Sequence, residues 1–262
     1  MEPPVVIVGI GELGGELARG FLKCGRPVYP VLRGTDPAEV ARNLPEPELV
    51  AVAVAEEDLP PTLEQLPPIW RDRVVLVQNE LTPRLWQRHG IERPTVAVVW
   101  FEKKPDRPLV DILDTPVYGP KAAQVTAALE RLGVKTRILE SEEALLFELA
   151  QKSLYILTLN CAALVIDGTA AEIWYEHPSF AQAVAEELLT LLERRFKRSL
   201  PRRALIEGMV AGIDDCPGRP ARGRRARERL ARCLAEAREA GISVPTLERI
   251  GERLSEPPRG DR

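Results

Sequence analysis

Three glycines near the start of the sequence, Gly9, Gly11 and Gly14, have the spacing G-x-G-x-x-G. At a strand-to-helix turn the first glycine permits a tight bend, the second admits a pyrophosphate close to the backbone, and the third lets the helix pack against the sheet. The apolar run 5–8 is typical of a strand, and residues 12–23 are typical of a helix. The spacing therefore predicts a dinucleotide-binding turn, with a glycine turn that only packs the helix as the alternative.

The choice of cofactor depends on the residues around this turn. Glu12 and Leu13 open the helix, where unpaired N–H groups and the helix dipole favour a pyrophosphate. The second apolar run ends at Arg33, and the next carboxylate is Asp36. An arginine there accommodates the 2′-phosphate of NADPH, whereas an Asp or Glu binds the ribose hydroxyls of NADH. The sequence favours NADPH, although an exposed arginine at a strand end is also common.

Asn79 is a candidate ligand within the polar group Gln78-Asn79-Glu80, which follows the fourth apolar run. Ligands of open α/β sheets bind at the carboxyl ends of the strands. Asn79 would there bind the nicotinamide ribose or a substrate oxygen. An asparagine that caps the next helix or turns the loop is the alternative.

A lysine stands inside a helix that is apolar on nearly every face, over residues 142–166, and such a helix is buried. Lys152 and Asn160 lie on one side of this helix, about 12 Å apart along its axis. Near a cofactor, a desolvated ammonium has a lowered pKa and donates a proton near neutral pH. A lysine that reaches water from the helix edge is the alternative, and the residues alone do not decide between the two.

The elements that must position these residues divide the 262-residue chain into two parts. Short apolar runs alternate with helical or loop stretches in the first half, which predicts buried parallel strands in an α/β, Rossmann-like, doubly wound sheet. The runs are 5–8, 28–32, 49–55, 74–78, 96–101 and 109–113, with a last short strand at 134–140.

The second half is helical in pattern, with helices expected at 178–198 and 221–240 and a short one after Pro245. We predict an NAD(P)-binding domain over 1–140, an all-helical substrate domain over 141–254 and a disordered tail over 255–262. The reaction would take place in a cleft between the two domains.

Composition excludes several classes of protein. The formal net charge of −3 gives no polyanion affinity, and the arginine-rich stretch 222–232 falls around a helix rather than on one face, so nucleic-acid binding is not expected. Four scattered cysteines and two histidines predict no metal site. The first apolar run is too short for a signal peptide or a membrane span, which predicts a cytoplasmic protein. The oligomeric state stays open, a homodimer included.

Taken together, these residues resemble the ketopantoate reductases, within the 6-phosphogluconate-dehydrogenase-like superfamily. The resemblance spans most of the chain and includes "KSLYILTLN" around Lys152 and "AREAGISVPTLERIGERL" near the end. It implies a two-domain reductase that uses NADPH to reduce a ketone. Lys152 would be the general acid, and Asn79 and Asn160 would position cofactor and substrate. The resemblance favours the catalytic interpretation of Lys152.

Two positions depart from the family pattern. The family usually has an asparagine where this sequence has Ile156, and a substrate-binding glutamate where it has Arg225. A site built for hydrogen bonds rejects the wrong group strongly. We therefore expect an NADPH-dependent reductase of a small, 2-keto acid-like carbonyl compound, with Arg225 and Asn160 as substrate ligands. A divergent ketopantoate reductase and a non-catalytic NADPH-binding protein of the same fold are the alternatives.

Overall fold

The computed structural model describes residues 2–255. The chain divides into two compact units between Leu149 and Ala150. The domain boundary expected at residue 140 falls just before a long helix, Glu142–Ala162, which begins in the first unit. The last helix ends at Ser255. The rest of the tail that we expect to be disordered, 256–262, lies outside the described residues.

A seven-stranded sheet forms the centre of the first unit, in the order β2-β1-β3-β4-β5-β8-β9. All neighbouring strands are parallel except β5 and β8. The predicted Rossmann-like, doubly wound α/β class is confirmed. The strands are β1 Val5–Val8, β2 Val28–Val31, β3 Leu49–Val52, β4 Val74–Leu76, β5 Thr95–Ala97, β6 Phe101–Glu102, β7 Val110–Asp111, β8 Thr115–Tyr118 and β9 Thr136–Ile138.

The register of the central strands brings their carboxyl ends to one edge of the sheet. Val8 of β1 lies opposite both Val31 of β2 and Val52 of β3. Strands β1 and β3 are buried along their whole length, as continuous apolar runs predict. In the two outermost strands of the sheet, β2 and β9, Tyr29 and Ile138 are exposed. Because the central strands end in register, the loops after β1, β2 and β3 leave the sheet side by side.

The strand expected at 109–113 does not join the main sheet, and that prediction is wrong. Only β7 forms there, and it pairs antiparallel with β6 in a separate two-stranded sheet, with Val110 53% exposed. The sheet instead continues through β8, which the apolar pattern did not indicate because it is short and contains Pro116. A proline lacks an N–H donor, but its carbonyl still accepts a hydrogen bond from the N–H of Val98, at 2.8 Å.

Helices cover the sheet of the first unit. Leu17 and Phe21 of the first helix and Val125 and Leu129 of the fifth pack with the side chains of β1 and β3 in one apolar core. The helices are α1 Glu12–Lys23, α2 Pro37–Asn43, α3 Leu59–Gln65, α4 Pro83–Gln87 and α5 Ala122–Glu130.

The second unit is helical, as predicted. Its helices are α6 Glu142–Ala162, which starts in the first unit, α7 Pro178–Phe196, α8 Arg202–Asp215, α9 Ala226–Ala240 and α10 Pro245–Ser255. Helix α8 was not predicted from the sequence. The carboxylate of Glu187 accepts hydrogen bonds from the N–H groups of Thr246 and Leu247, at 2.7 and 2.9 Å, and so caps the start of α10. Across residues 2–255, no helix has the length and apolar character that a membrane crossing needs.

Candidate active site

The turn between β1 and α1 requires glycine at two of its three predicted positions. Gly9 has a φ of +89°, and its N–H donates to the carbonyl of Val31 at 3.0 Å. A Cβ at Gly14 would lie 1.9 Å from the carbonyl oxygen of Gly9. Such a distance is far inside van der Waals contact, so only glycine lets α1 start this close to the end of β1.

The third glycine, Gly11, has open space around it. A Cβ at this position would meet no atom within 4 Å, and Gly11 is the N-cap residue that directly precedes α1. Among residues 2–255, no side chain caps this helix start through a hydrogen bond. The backbone N–H groups of Glu12 and Leu13 therefore stand at an open helix N-terminus, where an anion is favoured. This arrangement fits the pyrophosphate of a dinucleotide.

A lysine that the sequence analysis did not single out lies beside the turn. The Nζ of Lys103 is 3.3 Å from a carboxylate oxygen of Glu12 and donates to the carbonyl of Lys104 at 2.9 Å. The Lys103 side chain is only 19% exposed. Its charge offsets the negative charge that Glu12 brings to the anion-binding end of α1. The contact joins residues 91 positions apart, which no local pattern predicts.

Arg33, the predicted partner of a ribose phosphate, lies just beyond the end of β2. It follows β2, whose last residue, Val31, is bonded to Gly9 of the turn. The Arg33 side chain is 95% exposed and lies 3.6 Å from the carboxylate of Asp58. Asp36, the other candidate for the ribose, instead caps α2 by accepting a hydrogen bond from the N–H of Ala38 at 2.9 Å. One carboxylate oxygen of Asp36 is therefore already engaged at the start of α2.

Asn79 lies at the carboxyl end of β4, and its Nδ2 donates to the carboxylate of Glu56 at 3.1 Å. Its neighbour Gln78 has a structural role, because its Nε2 donates to the carbonyls of Val52 and Val54 at 2.7 and 3.1 Å. These bonds tie the end of β4 to the end of β3. Helix α4 begins after Thr82, so Asn79 does not act as its cap.

In the second unit, Lys152 is 8% exposed, so its side chain does not extend into water from the helix edge. Burial, which disfavours the charged ammonium, holds the pKa of Lys152 well below its usual value, and the positive charges of Arg219 and Arg229 lower that pKa further. One turn along α6, burial raises the pKa of Tyr155, while Arg219 acts in the opposite direction.

Asn160 is held by two hydrogen bonds within the second unit. Its Nδ2 donates to the carbonyl of Ala221 at 3.1 Å, and its Oδ1 accepts from the Nη1 of Arg229 at 3.0 Å. A Cβ at Gly223 would come within 2.4 Å of the same Oδ1. The predicted substrate ligand therefore fixes the segment from Ala221 to Arg229 against α6.

Arg229, rather than the predicted Arg225, is the buried arginine of the arginine-rich stretch. It is 7% exposed, while Arg225 is half-buried just before α9. Arg229 is thus an exception among the mostly exposed arginines of this stretch. A signal was present in the sequence, because Ala226, Leu230 and Cys233 form the apolar stripe of α9, and position 229 lies on that face. Glu236, on the same helix, accepts a hydrogen bond from the Nε of Arg195 at 2.7 Å.

Arg219 lies in a segment that is fixed by its backbone. Thr169 and Pro220 form an isolated antiparallel bridge, and the N–H of Ala170 donates to the carbonyl of Arg219 at 2.9 Å. The loop after α6 thereby holds residues 219–221 in place. No pattern in the sequence distinguishes Arg219 from the exposed arginines around it. Across the described chain, 2–255, no group of three or more His, Cys, Asp or Glu side chains is placed to hold a metal ion.

Solved structures share this fold over nearly the whole chain. A ketopantoate reductase from Ralstonia eutropha JMP134 has a TM-score of 0.62 at 16% identity, covering 96% of this chain and 97% of its own. The 2-dehydropantoate 2-reductase from Geobacter metallireducens GS-15 has a TM-score of 0.65 at 14% identity, with 96% and 98% covered. D-mandelate dehydrogenase with NADH has a TM-score of 0.66 at 12% identity, with 95% and 96% covered.

At such low identity the likeness establishes a shared fold, and the resemblance to the ketopantoate reductases is confirmed at that level. No protein-family model matches the chain, and no curated protein matches it in sequence. What this particular chain binds and converts must therefore be argued from its own residues.

Proposed function

We propose that the protein is an NADPH-dependent reductase of a small carbonyl compound of the 2-keto acid type, a divergent relative of the ketopantoate reductases. The observation that carries the proposal is Lys152, a buried lysine whose pKa is held well below its usual value by burial and by two arginines. Perturbed, buried titratable groups are typical of catalytic sites. Neighbours of the same fold include a dehydrogenase solved with NADH and several 2-dehydropantoate 2-reductases.

The first unit would hold the cofactor. The pyrophosphate would bind at the start of α1, where Gly9, Gly11 and Gly14 keep the backbone close and the N–H groups of Glu12 and Leu13 are available as donors. The guanidinium of Arg33 would pair with the 2′-phosphate, and Asn79 would bind the nicotinamide ribose. When bound, the cofactor supplies a hydride to the carbonyl carbon.

The second unit would supply the proton. As the carbonyl carbon becomes tetrahedral, negative charge develops on its oxygen and must be neutralised. The Nζ of Lys152 donates a proton to that oxygen, which leaves a neutral amine that water reprotonates. A lowered pKa makes this donation easier at neutral pH than it is for an ordinary ammonium. The product is the corresponding hydroxy acid.

A turnover assay tests the proposal. NADPH oxidation is followed by absorbance against a panel of glyoxylate, pyruvate, phenylglyoxylate and ketopantoate, beside a thermal-shift measurement with NADPH. We expect a rise in melting temperature with NADPH and turnover of at least one 2-oxo acid. Binding of NADPH with no turnover of any carbonyl compound would favour the non-catalytic alternative. One observation agrees with that alternative, since both ends of the Asn160 amide are engaged within the protein.

A further inference from the structure

A cavity in the first unit carries positive charge away from the glycine turn. It has a volume of about 660 Å³, and its side chains include Pro60, Pro61, Glu64, Arg71, Arg88 and His89. We propose that this cavity binds the phosphate group of a small molecule, held by the guanidinium groups of Arg71 and Arg88. The site goes beyond the proposed reductase function and does not depend on it.

The two arginines reach the cavity from segments that lead into strands of the main sheet. Arg71 lies in the short helical turn Pro68–Arg73, which is followed directly by β4. Arg88 lies between α4 and β5. Both segments therefore lie at amino ends of strands that run parallel to β1 and β3, whereas the glycine turn follows the carboxyl end of β1. The cavity is thus separate from the predicted cofactor site.

Arg71 is placed by its neighbours on both sides. Trp70 is fully buried, and its Nε1 donates to the carbonyl of Leu44 at 2.9 Å. A Cβ at Gly90 would lie 2.9 Å from the Nη1 and 3.7 Å from the Cζ of Arg71, so the guanidinium lies against the backbone of Gly90. With a φ of +70°, Gly90 is in the region that favours glycine. This contact brings the charge of Arg71 to the segment that carries Arg88.

Arg88 and His89 directly follow α4 and are held by its last turn. Their N–H groups donate to the carbonyls of Arg84 and Trp86, at 3.3 and 3.1 Å. The Nε of Arg88 donates to the Nε2 of His89 at 3.2 Å. The imidazole accepts this bond as a neutral ring, so the bond orients Arg88 without neutralising its charge.

Neither guanidinium is neutralised by a residue of the described chain, 2–255. No carboxylate there forms an ion pair with Arg71 or Arg88, and the Nε of Arg71 is buried with no hydrogen-bond partner. Burial and the charges of Arg88 and Arg71 hold the pKa of His89 below its usual value, while Glu64 acts in the opposite direction. The cavity therefore has two cations against one carboxylate.

This charge and shape suit a phosphate group. The planar fork of a guanidinium binds phosphate oxygens with two parallel hydrogen bonds. A phosphate monoester carries close to two negative charges at neutral pH, which offset both arginines, whereas a carboxylate offsets only one. The cavity is larger than a free phosphate ion requires, and Pro60 and Pro61 give it an apolar wall. We therefore expect an organic phosphate to bind more tightly than inorganic phosphate.

The two histidines of the chain, His89 and His177, make the site directly observable. His177 is exposed in the second unit and serves as the internal control. In a phosphate-free buffer, NMR titration with phenyl phosphate should shift the imidazole resonances of His89 and leave those of His177 unchanged. The bound dianion should also raise the pKa of His89. Inorganic phosphate should give the same shifts at higher concentration, and acetate should give none.

Substitutions identify the groups that hold the phosphate. We expect Arg71→Met and Arg88→Met each to weaken phenyl phosphate binding at least about tenfold, since hydrogen bonds to charged groups contribute more than neutral ones. Glu64→Gln removes the opposing carboxylate and should strengthen binding about threefold. Arg84→Met is the matched control, because Arg84 is an exposed arginine of α4. Arg33→Met is the control for binding at the predicted cofactor site, and both controls should bind as the unchanged protein does.

The possible outcomes separate the proposal from its alternatives. No shift of His89 with either phosphate compound, an equal shift with acetate, or unchanged affinity in both Arg71→Met and Arg88→Met would overturn it. If Arg71→Met does not fold, Arg88→Met and the charge-conserving Arg71→Lys decide, and the latter should keep part of the affinity. Equal affinity for phenyl phosphate and inorganic phosphate would identify free phosphate, rather than an organic phosphate, as the ligand.

Discussion

The two units of this protein place their functional residues by different means. In the first unit the glycine turn and Arg33 follow directly from short strands, and their positions are set by the backbone. In the second unit Lys152, Arg219 and Arg229 come from three separate segments. A side-chain hydrogen bond from Asn160 holds Arg229, and a backbone bridge fixes the segment of Arg219. The positions of the glycine turn and Arg33, the backbone site, thus follow from local sequence. The positions of Lys152, Arg219 and Arg229, the charge cluster, depend on how distant segments pack together.

The largest effect that we expect concerns Lys152. Lys152→Met keeps most of the side-chain volume and removes the ammonium. Loss of a general acid lowers kcat by about 10² to 10⁴, while NADPH binding, which depends on the first unit, survives. The measurement is kcat on a confirmed substrate, together with the NADPH-induced thermal shift.

Lys135→Met is the control for that variant, because Lys135 is an exposed lysine of the first unit. Its kcat should match that of the unchanged protein. Normal turnover in Lys152→Met would show that the charge cluster is structural and that the proton comes from elsewhere.

A second expected effect tests the backbone site. In Gly14→Ala the new Cβ would lie 1.9 Å from the carbonyl oxygen of Gly9, so the turn must open. We expect a loss of about 3 kcal/mol in unfolding free energy and loss of NADPH binding, measured by denaturant titration and thermal shift.

Gly15→Ala is the control for this substitution, since a Cβ there meets nothing within 4 Å. In a helix, alanine is favoured over glycine by up to about 1 kcal/mol, so this variant should be equally stable or slightly more so. Equal stability of the two alanine variants would contradict the close approach of α1 to the turn.

A smaller effect concerns cofactor preference. Arg33→Asp replaces the proposed partner of the 2′-phosphate by an acceptor for ribose hydroxyls. We expect the ratio of NADPH to NADH affinity to fall about tenfold, since an exposed charge contact contributes only about 1 kcal/mol. Calorimetric titration with both nucleotides gives the ratio. Asp58→Asn, which removes the carboxylate 3.6 Å from Arg33, should change the ratio in the opposite direction. An unchanged ratio in both variants would exclude Arg33 as the selecting residue.

The smallest effect is the pH dependence of stability. Because the pKa of Lys152 is lowered by burial and by the two arginines, the unfolded chain binds more protons than the folded chain between the folded pKa and about 10.4, the ordinary value. The stability of the unchanged protein should therefore rise with pH across that window. Lys152→Met should lack this rise and be more stable at lower pH, on the order of 1 kcal/mol.

Denaturant unfolding of the unchanged protein and of Lys152→Met at several pH values between 6 and 10 measures the difference in their unfolding free energies. This difference should become smaller as the pH rises. A difference in unfolding free energy that stays constant with pH would mean that the pKa of Lys152 is the same in the folded and the unfolded chain.

The fold of the first unit was predictable because its signals are local. A continuous apolar run such as Val5–Val8 specifies a buried strand, and the glycine spacing specifies the turn after it. Strand β8 was not predicted, because Pro116 interrupts a short apolar run. Its antiparallel pairing with β5 joins two segments that are distant in sequence. The strand expected at 109–113 does not join the main sheet, because Val110–Asp111 pairs instead with the nearby segment Phe101–Glu102.

The site in the second unit was predictable only in part. Lys152 and Asn160 share a helix, so helical spacing alone puts them on one side. Arg225 was predicted by counting from a later segment and stays a prediction, whereas the burial of Arg229 follows from the apolar stripe of α9. Arg219 carries no such signal, since a backbone bridge between two distant loops determines its position.

The contact between Gly223 and Asn160 also constrains how this sequence can change over generations. Any side chain at 223 collides with the asparagine, and any smaller residue at 160 removes the bond that orients Arg229. A lineage that has acquired this trio would lose one member only through an intermediate with a steric clash or a lost buried hydrogen bond. The three positions, more than sixty residues apart at the extremes, should therefore be inherited together and be replaced together among close relatives.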